Sequence, residues 1–203
     1  MFTGIVQGVG HVLAIEPRGG DVPMTFDPGP LSLEGVATGD SIAVNGACLT
    51  ATTLAPGRFS ADVSHETLSV TTLGQWQQGT RINLEKALRA GDALGGHYVT
   101  GHIDGIAVLE KREDDARSVR MRFAVPAELA RYIARKGSIC VDGVSLTVNA
   151  VERASFEVNL VPHTLDVTTL RDYRLGVRVN LEIDIIARYA ERLSMTSEVT
   201  QLR

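Results

Sequence analysis

Hydrophobic and polar residues alternate along several short segments of this chain. Residues 81–85 read Arg, Ile, Asn, Leu, Glu, and residues 178–182 read Arg, Val, Asn, Leu, Glu. Alternation with a period of two is typical of a strand that buries one face. Apolar runs separated by Gly, Pro, Asp and Asn occupy residues 4–15, 41–53, 59–63, 119–125, 138–151 and 156–161. Strands at this spacing predict a small antiparallel barrel or sandwich, and closure as a barrel would remove exposed strand edges.

The alternating pattern occurs twice, at a constant distance of 97 residues, as between residues 81 and 178. Residues 44–50, 67–73 and 79–85 return as residues 141–147, 164–170 and 176–182. This distance is much longer than a solenoid unit and close to one small domain. We therefore predict two copies of one domain, at residues 1–90 and 91–184, followed by a helix and tail at residues 185–203. Two similar pockets would suit chemistry on two copies of one molecule.

Three segments have weaker helical signals. Residues 127–135 follow Pro126, and proline is common at a helix start; the matching residues 30–37 are less helical. In residues 184–193 the charged Arg188, Glu191 and Arg192 face away from the apolar side. That apolar side consists of Ile185, Ile186, Tyr189 and Leu193. This helix either packs on its own barrel or contacts another subunit, and the second alternative is favoured because so short a helix seldom forms without packing.

Composition narrows the classes of function. The chain has 203 residues, 44% of them hydrophobic, and a formal net charge of −4. A nucleic-acid scaffold usually carries a basic patch, so we expect no nucleic-acid partner. No apolar run approaches the roughly 18–20 residues needed to cross a bilayer, and residues 1–5 lack the pattern of an export signal. Cys48 and Cys140 do not recur in the other repeat, so we expect no disulfide and a reduced, cytoplasmic protein.

The two repeats differ in chemistry at matched positions. Cys48 of the first repeat corresponds to Ser145 of the second, each just after a turn with glycine. Considered singly, each is more typical of structure, because a buried Cys acts as a small hydrophobe and a Ser beside a turn often bonds backbone. A thiol and a hydroxyl at matched positions instead favour two pockets of related shape and distinct reactivity.

Two histidines lie at the junction of the repeats. His97 and His102 would point to opposite faces of an extended segment, so a shared metal is not expected. Imidazole titrates near neutrality, so either side chain could move a proton. His102 replaces Ile5 of the first repeat, which favours a function over a structural role. Thr67 and Thr164 follow matched strand ends, where they could bind a polyol or simply cap a turn.

Together these motifs resemble the riboflavin synthase family over nearly the whole chain. The matching segments are residues 1–6, 45–50, 66–68, 95–97, 101–104, 136–138, 142–147, 161–165 and 179–184. The resemblance implies an all-β fold of two tandem six-stranded Greek-key barrels with a C-terminal helix through which three chains associate. Each active site would form between the N-terminal barrel of one subunit and the C-terminal barrel of a neighbour. Association with lumazine synthase is also implied.

The resemblance further implies a reaction and its residues. Two molecules of 6,7-dimethyl-8-ribityllumazine exchange a four-carbon unit and give riboflavin and 5-amino-6-ribitylaminouracil, without a metal or organic cofactor. Gly4, Ile5 and Val6 would offer backbone to a pteridine edge. The N-terminal pocket would be lined by Cys48, Leu49, Thr50, Asp62, Val63, Ser64, His65, Glu66 and Thr67. The C-terminal pocket would be lined by Gly101, His102, Ile103, Lys136, Ser145, Leu146, Thr147, Val161, Pro162, His163, Thr164, Leu165 and Asp166.

Catalytic roles follow from the same resemblance. His102, relayed by Thr147 or water, would assist proton movement, and Phe2 would lie near the reacting pair. Ser145 and Cys48 would polarise the two rings or add nucleophiles to them, and Asp184 would support Ser145 or His102. The alternatives are a non-catalytic lumazine- or flavin-binding protein of the same fold and an oligonucleotide-binding barrel. Intact His102 and Thr147 argue against the first, and the negative charge with 5% aromatic residues argues against the second.

Overall fold

The computed structural model describes residues 1–17 and 20–200 and contains two closed antiparallel barrels of six strands each. The first barrel comprises β1 (Gly8–Ile15), β2 (Val22–Asp27), β3 (Ser41–Val44), β4 (Ala47–Ala55), β5 (Arg58–Val63) and β6 (Arg81–Lys86). The second comprises β7 (Gly105–Asp115), β8 (Ser118–Ala124), β9 (Ser138–Val141), β10 (Val144–Glu152), β11 (Ser155–Leu160) and β12 (Arg178–Ile183). The predicted barrel fold and its duplication are confirmed.

Both barrels have the same strand order, β1-β2-β5-β4-β3-β6 in the first and its equivalent in the second. Each encloses its own apolar core, and the alternating burial of β2 and β11 follows the alternation in their sequences. Two-residue turns join β3 to β4 and β9 to β10. Asn45 and Gly46 have φ of 43° and 80°, and Asp142 and Gly143 have 44° and 79°, as the tight hairpin turn requires. The boundary near residue 90 falls between the barrels and stays a prediction.

The short helices differ from those predicted. The structure has α1 (His65–Val70), α2 (Ala127–Ala130) and α3 (Pro162–Val167), and a 3₁₀ helix follows each of α1 and α3. The predicted helix at 127–135 is a single α-helical turn, because Tyr132 and Ile133 donate to carbonyls three residues back and so form turns. The predicted helix at 30–37 was wrong: Gly35, at φ 74°, lies in a run of turns. Residues 65–70 and 162–167, predicted only to follow strand ends, are helical.

The C-terminal helix, α4 (Ile185–Thr200), attaches to its own barrel through its charged side. Arg188 pairs with Asp104, and Glu191 contacts Tyr132 and Arg131. The apolar side of α4 is exposed to solvent. The exposed fraction is 63% for Ile186, 62% for Tyr189 and 68% for Leu193. Residues 201–203 of the predicted tail lie outside the described residues. No helix in the described part of the chain is long and apolar enough to span a membrane.

The two barrels join around an approximate twofold axis relating the repeats. Phe2 and Val99, which occupy matched positions, exchange backbone hydrogen bonds of 2.7 and 3.1 Å. The side-chain amide of Asn180 donates to the carbonyl of Asn45 at 2.9 Å, and the amide of Asn83 donates to the carbonyl of Asp142 at 2.9 Å. Each repeat therefore supplies the polar partner that the buried turn of the other requires.

Candidate active site

Each barrel is crossed by a short segment from the start of the other repeat. We call residues 3–6 strap 1 and residues 100–103 strap 2. In strap 1 the carbonyl of Gly4 accepts a hydrogen bond of 2.8 Å from the N–H of Ser145. In strap 2 the carbonyl of Gly101 accepts one of 2.9 Å from the N–H of Cys48. Strap 1 therefore leads into β1 but lies against β10, and strap 2 leads into β7 but lies against β4.

This crossing corrects the assignment of residues to pockets. Gly101, His102 and Ile103 are predicted from the motifs to lie in the pocket of Ser145, whereas the structure places strap 2 beside Cys48. Ile103 packs against the core of the first barrel, and Val6 of strap 1 packs against the core of the second. The motifs identify these residues, but they carry no information about which barrel a connecting segment covers.

Glycine is required where each strap meets its strand. Gly4 has φ 74° and Gly101 has φ 81°, in the left-handed region that side chains disfavour. A β-carbon at Gly4 would lie 2.6 Å from Cβ of Ser145, and one at Gly101 would lie 2.5 Å from Cβ of Cys48. The straps thus pack closely against the backbone and Cβ of the two residues that carry the hydroxyl and the thiol.

The Cys48 pocket is the surface formed by the start of β4, the end of β5, the start of α1 and strap 2. Cys48 is half-buried and Thr50 exposed on the outer side of β4, because alternate residues of a strand share a face. Ser64 caps α1, accepting a 3.1 Å hydrogen bond from the N–H of Thr67. The predicted Asp62, His65 and Glu66 are exposed around it. Its edge therefore offers a thiol, hydroxyls and charged groups to a ligand.

The Ser145 pocket repeats this arrangement with strap 1, β10 and α3. Ser145 is half-buried and Thr147 exposed on the outer side of β10. Val161, Pro162 and His163 are exposed, and Thr164 and Leu165 are half-buried. Asp166 pairs with Arg171 at 2.7 Å, and Lys136, at φ 69°, donates its N–H to the carbonyl of Val148 at 2.8 Å.

Four predicted site residues do not present their side chains at either pocket surface. Leu49, Val63 and Leu146 belong to the barrel cores, so only their backbone could meet a ligand. Phe2 is fully buried in a cluster with Val99 against which Cys48 packs. Phe2 therefore packs beneath the Cys48 pocket, on the side away from solvent.

His97, to which the sequence analysis gives no specific role, is the partner of Ser145. Its Nδ1 lies 2.7 Å from the Oγ of Ser145, and its backbone N–H donates to the carbonyl of Thr3. Burial lowers the pKa of His97, and the negative charge of Asp184 partly opposes this. A neutral imidazole beside a serine hydroxyl can accept a proton through it. The Gly-Gly pair before His97 was the sequence feature that could have identified His97 as a site residue. Glycine is needed there because a Cβ at Gly96 would lie 2.9 Å from Oγ of Ser145.

His102 and Asp184 differ from their predicted surroundings. The side chain of His102 is exposed on strap 2, and its backbone N–H donates to Oγ1 of Thr100 at 3.3 Å. Asp184 accepts a 3.0 Å hydrogen bond from the N–H of Ile186 at the start of α4. Within residues 1–17 and 20–200, no hydrogen bond joins it to Ser145 or His102. Its effect on the site is electrostatic and acts on His97.

A cavity of about 610 Å³ adjoins strap 1, a size typical of ligand sites. Thr3 and Ile5 of the strap line it, together with Ser41, Glu85 and Arg89. The sequence analysis did not predict Ser41 or Arg89 at a site, since neither lies in an alternating motif. Among the described residues, no three His, Cys, Asp or Glu side chains converge as metal ligands would. Cys48 and Cys140 are both free thiols.

Known proteins are similar to this chain over most of its length. The lumazine binding domain family matches twice, at residues 3–87 and 100–184. A riboflavin synthase of Photobacterium phosphoreum is 42% identical, covering 98% of this chain and 91% of that protein. One of Mycobacterium tuberculosis (strain ATCC 25618 / H37Rv) is 46% identical, covering 95% and 98%. A crystal structure of LumP complexed with riboflavin superposes with a TM-score of 0.81 at 27% identity, covering 90% of this chain and 99% of that chain.

Proposed function

The chain belongs to the riboflavin synthase family of lumazine-binding proteins, and we propose that it converts two molecules of 6,7-dimethyl-8-ribityllumazine into riboflavin and 5-amino-6-ribitylaminouracil. It is an enzyme of the transferase class. The observation that carries the proposal is the pair of matched surfaces beside the two straps, one with a thiol and one with a hydroxyl. Because donor and acceptor are the same compound, the reaction requires two pockets of nearly the same shape. The relatives named riboflavin synthase favour catalysis over binding alone.

We assign the first proton transfer to the Ser145 pocket. One lumazine must lose a proton from its 7-methyl group, and its ring delocalises the resulting charge. Ser145 Oγ, hydrogen-bonded to the buried His97, relays this proton to the imidazole. The carbanion then attacks the second lumazine. Orientation of two bound reactants can lower a barrier by roughly 7–11 kcal/mol.

The Cys48 pocket holds the second lumazine in this proposal. Cys48 polarises its ring or adds to it, and the exposed His102 assists proton movement. Thr147 lies in the other pocket, so it can relay a proton to His102 only where the two pockets face each other. A site shared between subunits would bring the two pockets together in this way.

We further propose a homotrimer associated through α4. Ile186, Tyr189 and Leu193 recur at helical spacing, and the exposed apolar stripe they form lies on the side of α4 opposite its contacts with the barrel. The two free thiols are consistent with a reducing, cytoplasmic environment. Association with lumazine synthase, which the family resemblance implies, would be tested by co-sedimentation of the two proteins.

A stoichiometric assay tests the proposed function. The purified protein is incubated with 6,7-dimethyl-8-ribityllumazine, and consumption of lumazine and appearance of riboflavin are followed by absorbance. We expect two lumazines consumed per riboflavin formed, with one 5-amino-6-ribitylaminouracil. Ser145→Ala should slow turnover strongly, and Ser118→Ala, on the β7–β8 hairpin, serves as the control. Saturable lumazine binding without any riboflavin would refute catalysis and leave a binding protein.

A further inference from the structure

A buried carboxylate on the first barrel holds strap 1. Glu85, on β6, is only 3% exposed. Its Oε1 accepts hydrogen bonds of 2.7 Å from both the N–H and the hydroxyl of Thr3, and its Oε2 accepts one of 2.9 Å from the N–H of Gly4. The same Gly4 gives its carbonyl to Ser145 on the second barrel. Gly4 therefore connects Glu85, on the first barrel, to Ser145, in the pocket of the second barrel.

The matched carboxylate on the second barrel holds strap 2 in the same way. Glu182, on β12, is 2% exposed. Its Oε1 accepts from the N–H of Thr100 at 2.7 Å and from its hydroxyl at 2.6 Å, and its Oε2 accepts from the N–H of Gly101 at 2.9 Å. Gly101 in turn gives its carbonyl to Cys48 on the first barrel. The two arrangements agree bond for bond.

We propose that Glu85 and Glu182 are positioning residues, each of which fixes the strap that closes the pocket of the opposite barrel. Three donors converge on each carboxylate, and hydrogen bonds to charged groups are about twice as strong as neutral ones. A chain that only needed to bury an N-terminal segment could use an apolar contact. A buried carboxylate costs desolvation, which the three hydrogen bonds offset, and two of those bonds fix the position of successive peptide groups.

Because the straps cross, each glutamate should affect the pocket on the opposite barrel, which a purely structural role would not predict. Changing Glu85 alters the Ser145 pocket, which lies on the other barrel. Changing Glu182 alters the Cys48 pocket. The inference rests on the proposed function only in that both pockets bind the flavin product.

The thiol of Cys48 reports directly on its pocket. Its alkylation by iodoacetamide is measured in the full chain, with and without riboflavin, by mass spectrometry. Burial raises the pKa of the Cys140 thiol well above its ordinary value, so Cys140 should stay unmodified. In Glu182→Gln, one N–H of strap 2 faces the new amide. We expect alkylation of Cys48 to quicken without ligand and protection by riboflavin to require about tenfold more ligand. Glu85→Gln should change neither beyond about twofold.

The reciprocal measurement uses a thiol in the other pocket. In a Cys48→Ser, Ser145→Cys chain, the thiol at position 145 becomes the reporter. Adding Glu85→Gln should quicken its alkylation and weaken its protection by about tenfold, and adding Glu182→Gln should not. The two glutamates serve as matched controls for each other, because both are buried and both hold three hydrogen bonds.

Three outcomes separate the possibilities. Equal effects of both variants on both reporters, or effects confined to the variant's own barrel, would overturn the proposal. If riboflavin protects neither thiol in the unmodified chain, the proposed function fails, and the ligand-free alkylation rates still decide the positioning role. If a glutamine variant does not fold, Thr3→Val and Thr100→Val each remove one hydrogen bond from the same carboxylates and should reproduce the crossed pattern in weaker form.

Discussion

Asp142 occupies the position that Asn45 holds in the first repeat, and Asp142→Asn tests what this difference does to stability. Its side chain is only 3% exposed. Oδ1 accepts a 2.8 Å hydrogen bond from the N–H of Asn180, and Oδ2 accepts from the hydroxyl of Tyr173. Burial raises the pKa of Asp142 from 3.8 to about 7, although these hydrogen bonds partly counteract it.

The sign of the effect follows from the raised pKa. The folded protein binds the Asp142 proton more tightly than the unfolded chain does, so stability falls as pH rises between about 4 and about 7. A difference of about three pH units at about 1.4 kcal/mol per unit sets an upper limit of about 4 kcal/mol. We expect the loss of unfolding free energy to be about half of this limit, about 2 kcal/mol, because neighbouring groups and water reorganise around a buried charge.

The asparagine variant should keep the hydrogen-bond network and lose the titration. Its amide can donate to the oxygen of Tyr173, whose hydroxyl can then donate to Thr169, 3.1 Å away. About two of the three pH units lie above pH 5, so Asp142→Asn should gain about 1.3 kcal/mol of unfolding free energy relative to the unmodified chain on going from pH 5 to pH 8. Glu85 and Glu182, whose pKa values burial also raises, are common to both chains and cancel.

The assay is urea unfolding of both chains at pH 5 and pH 8, at one protein concentration because association shifts apparent stability. The matched control is Asn45→Asp, which buries a carboxylate where Trp76 replaces the tyrosine hydroxyl. It should destabilise the protein at pH 8 more than at pH 5. A difference between the unmodified chain and Asp142→Asn that is the same at both pH values would refute the reasoning.

Three further predictions concern the straps and α4. Gly101→Ala should lower the unfolding free energy by about 1–3 kcal/mol more than Gly57→Ala, since both have positive φ and only the former adds a clash. Urea unfolding measures this, and equal losses would contradict it. His102→Gln should leave lumazine binding nearly intact while lowering turnover by about a hundredfold, and unchanged turnover would remove it from the mechanism. Tyr189→Asp should reduce the sedimenting mass and turnover together, whereas Leu175→Asp, equally exposed but outside α4, should alter neither.

The structural features that could be predicted from the sequence are those that depend on a local pattern of residues. The alternation in residues 178–182 and the glycines predicted barrel strands and tight turns, because strand burial and turn geometry are set within a few residues. The constant spacing of the motifs predicted the duplication for the same reason. The match of Cys48 to Ser145 likewise required only the repeat register.

Prediction from the sequence failed where side chains meet through the tertiary fold. The pairing of His97 with Ser145 joins residues 48 positions apart, and the crossing of the straps depends on how the barrels pack. The short helices at 65–70 and 162–167 were missed because each is barely longer than a turn. Their residues, His-Glu-Thr-Leu-Ser-Val and Pro-His-Thr-Leu-Asp-Val, carry no apolar periodicity that could be read as a helix.

The comparison of the two repeats with each other separates geometry from chemistry. The residues that hold the straps are the same in both: Thr3 and Thr100, Gly4 and Gly101, and Glu85 and Glu182. The residues that differ include Ile5 and His102, Cys48 and Ser145, Asn45 and Asp142, and Trp76 and Tyr173. Two pockets that bind the same heterocycle need one shape, which the first set provides. A dismutation needs one molecule to lose a proton and the other to accept a carbon nucleophile, and in the proposed mechanism the unlike pairs at positions 5 and 48 would supply that asymmetry.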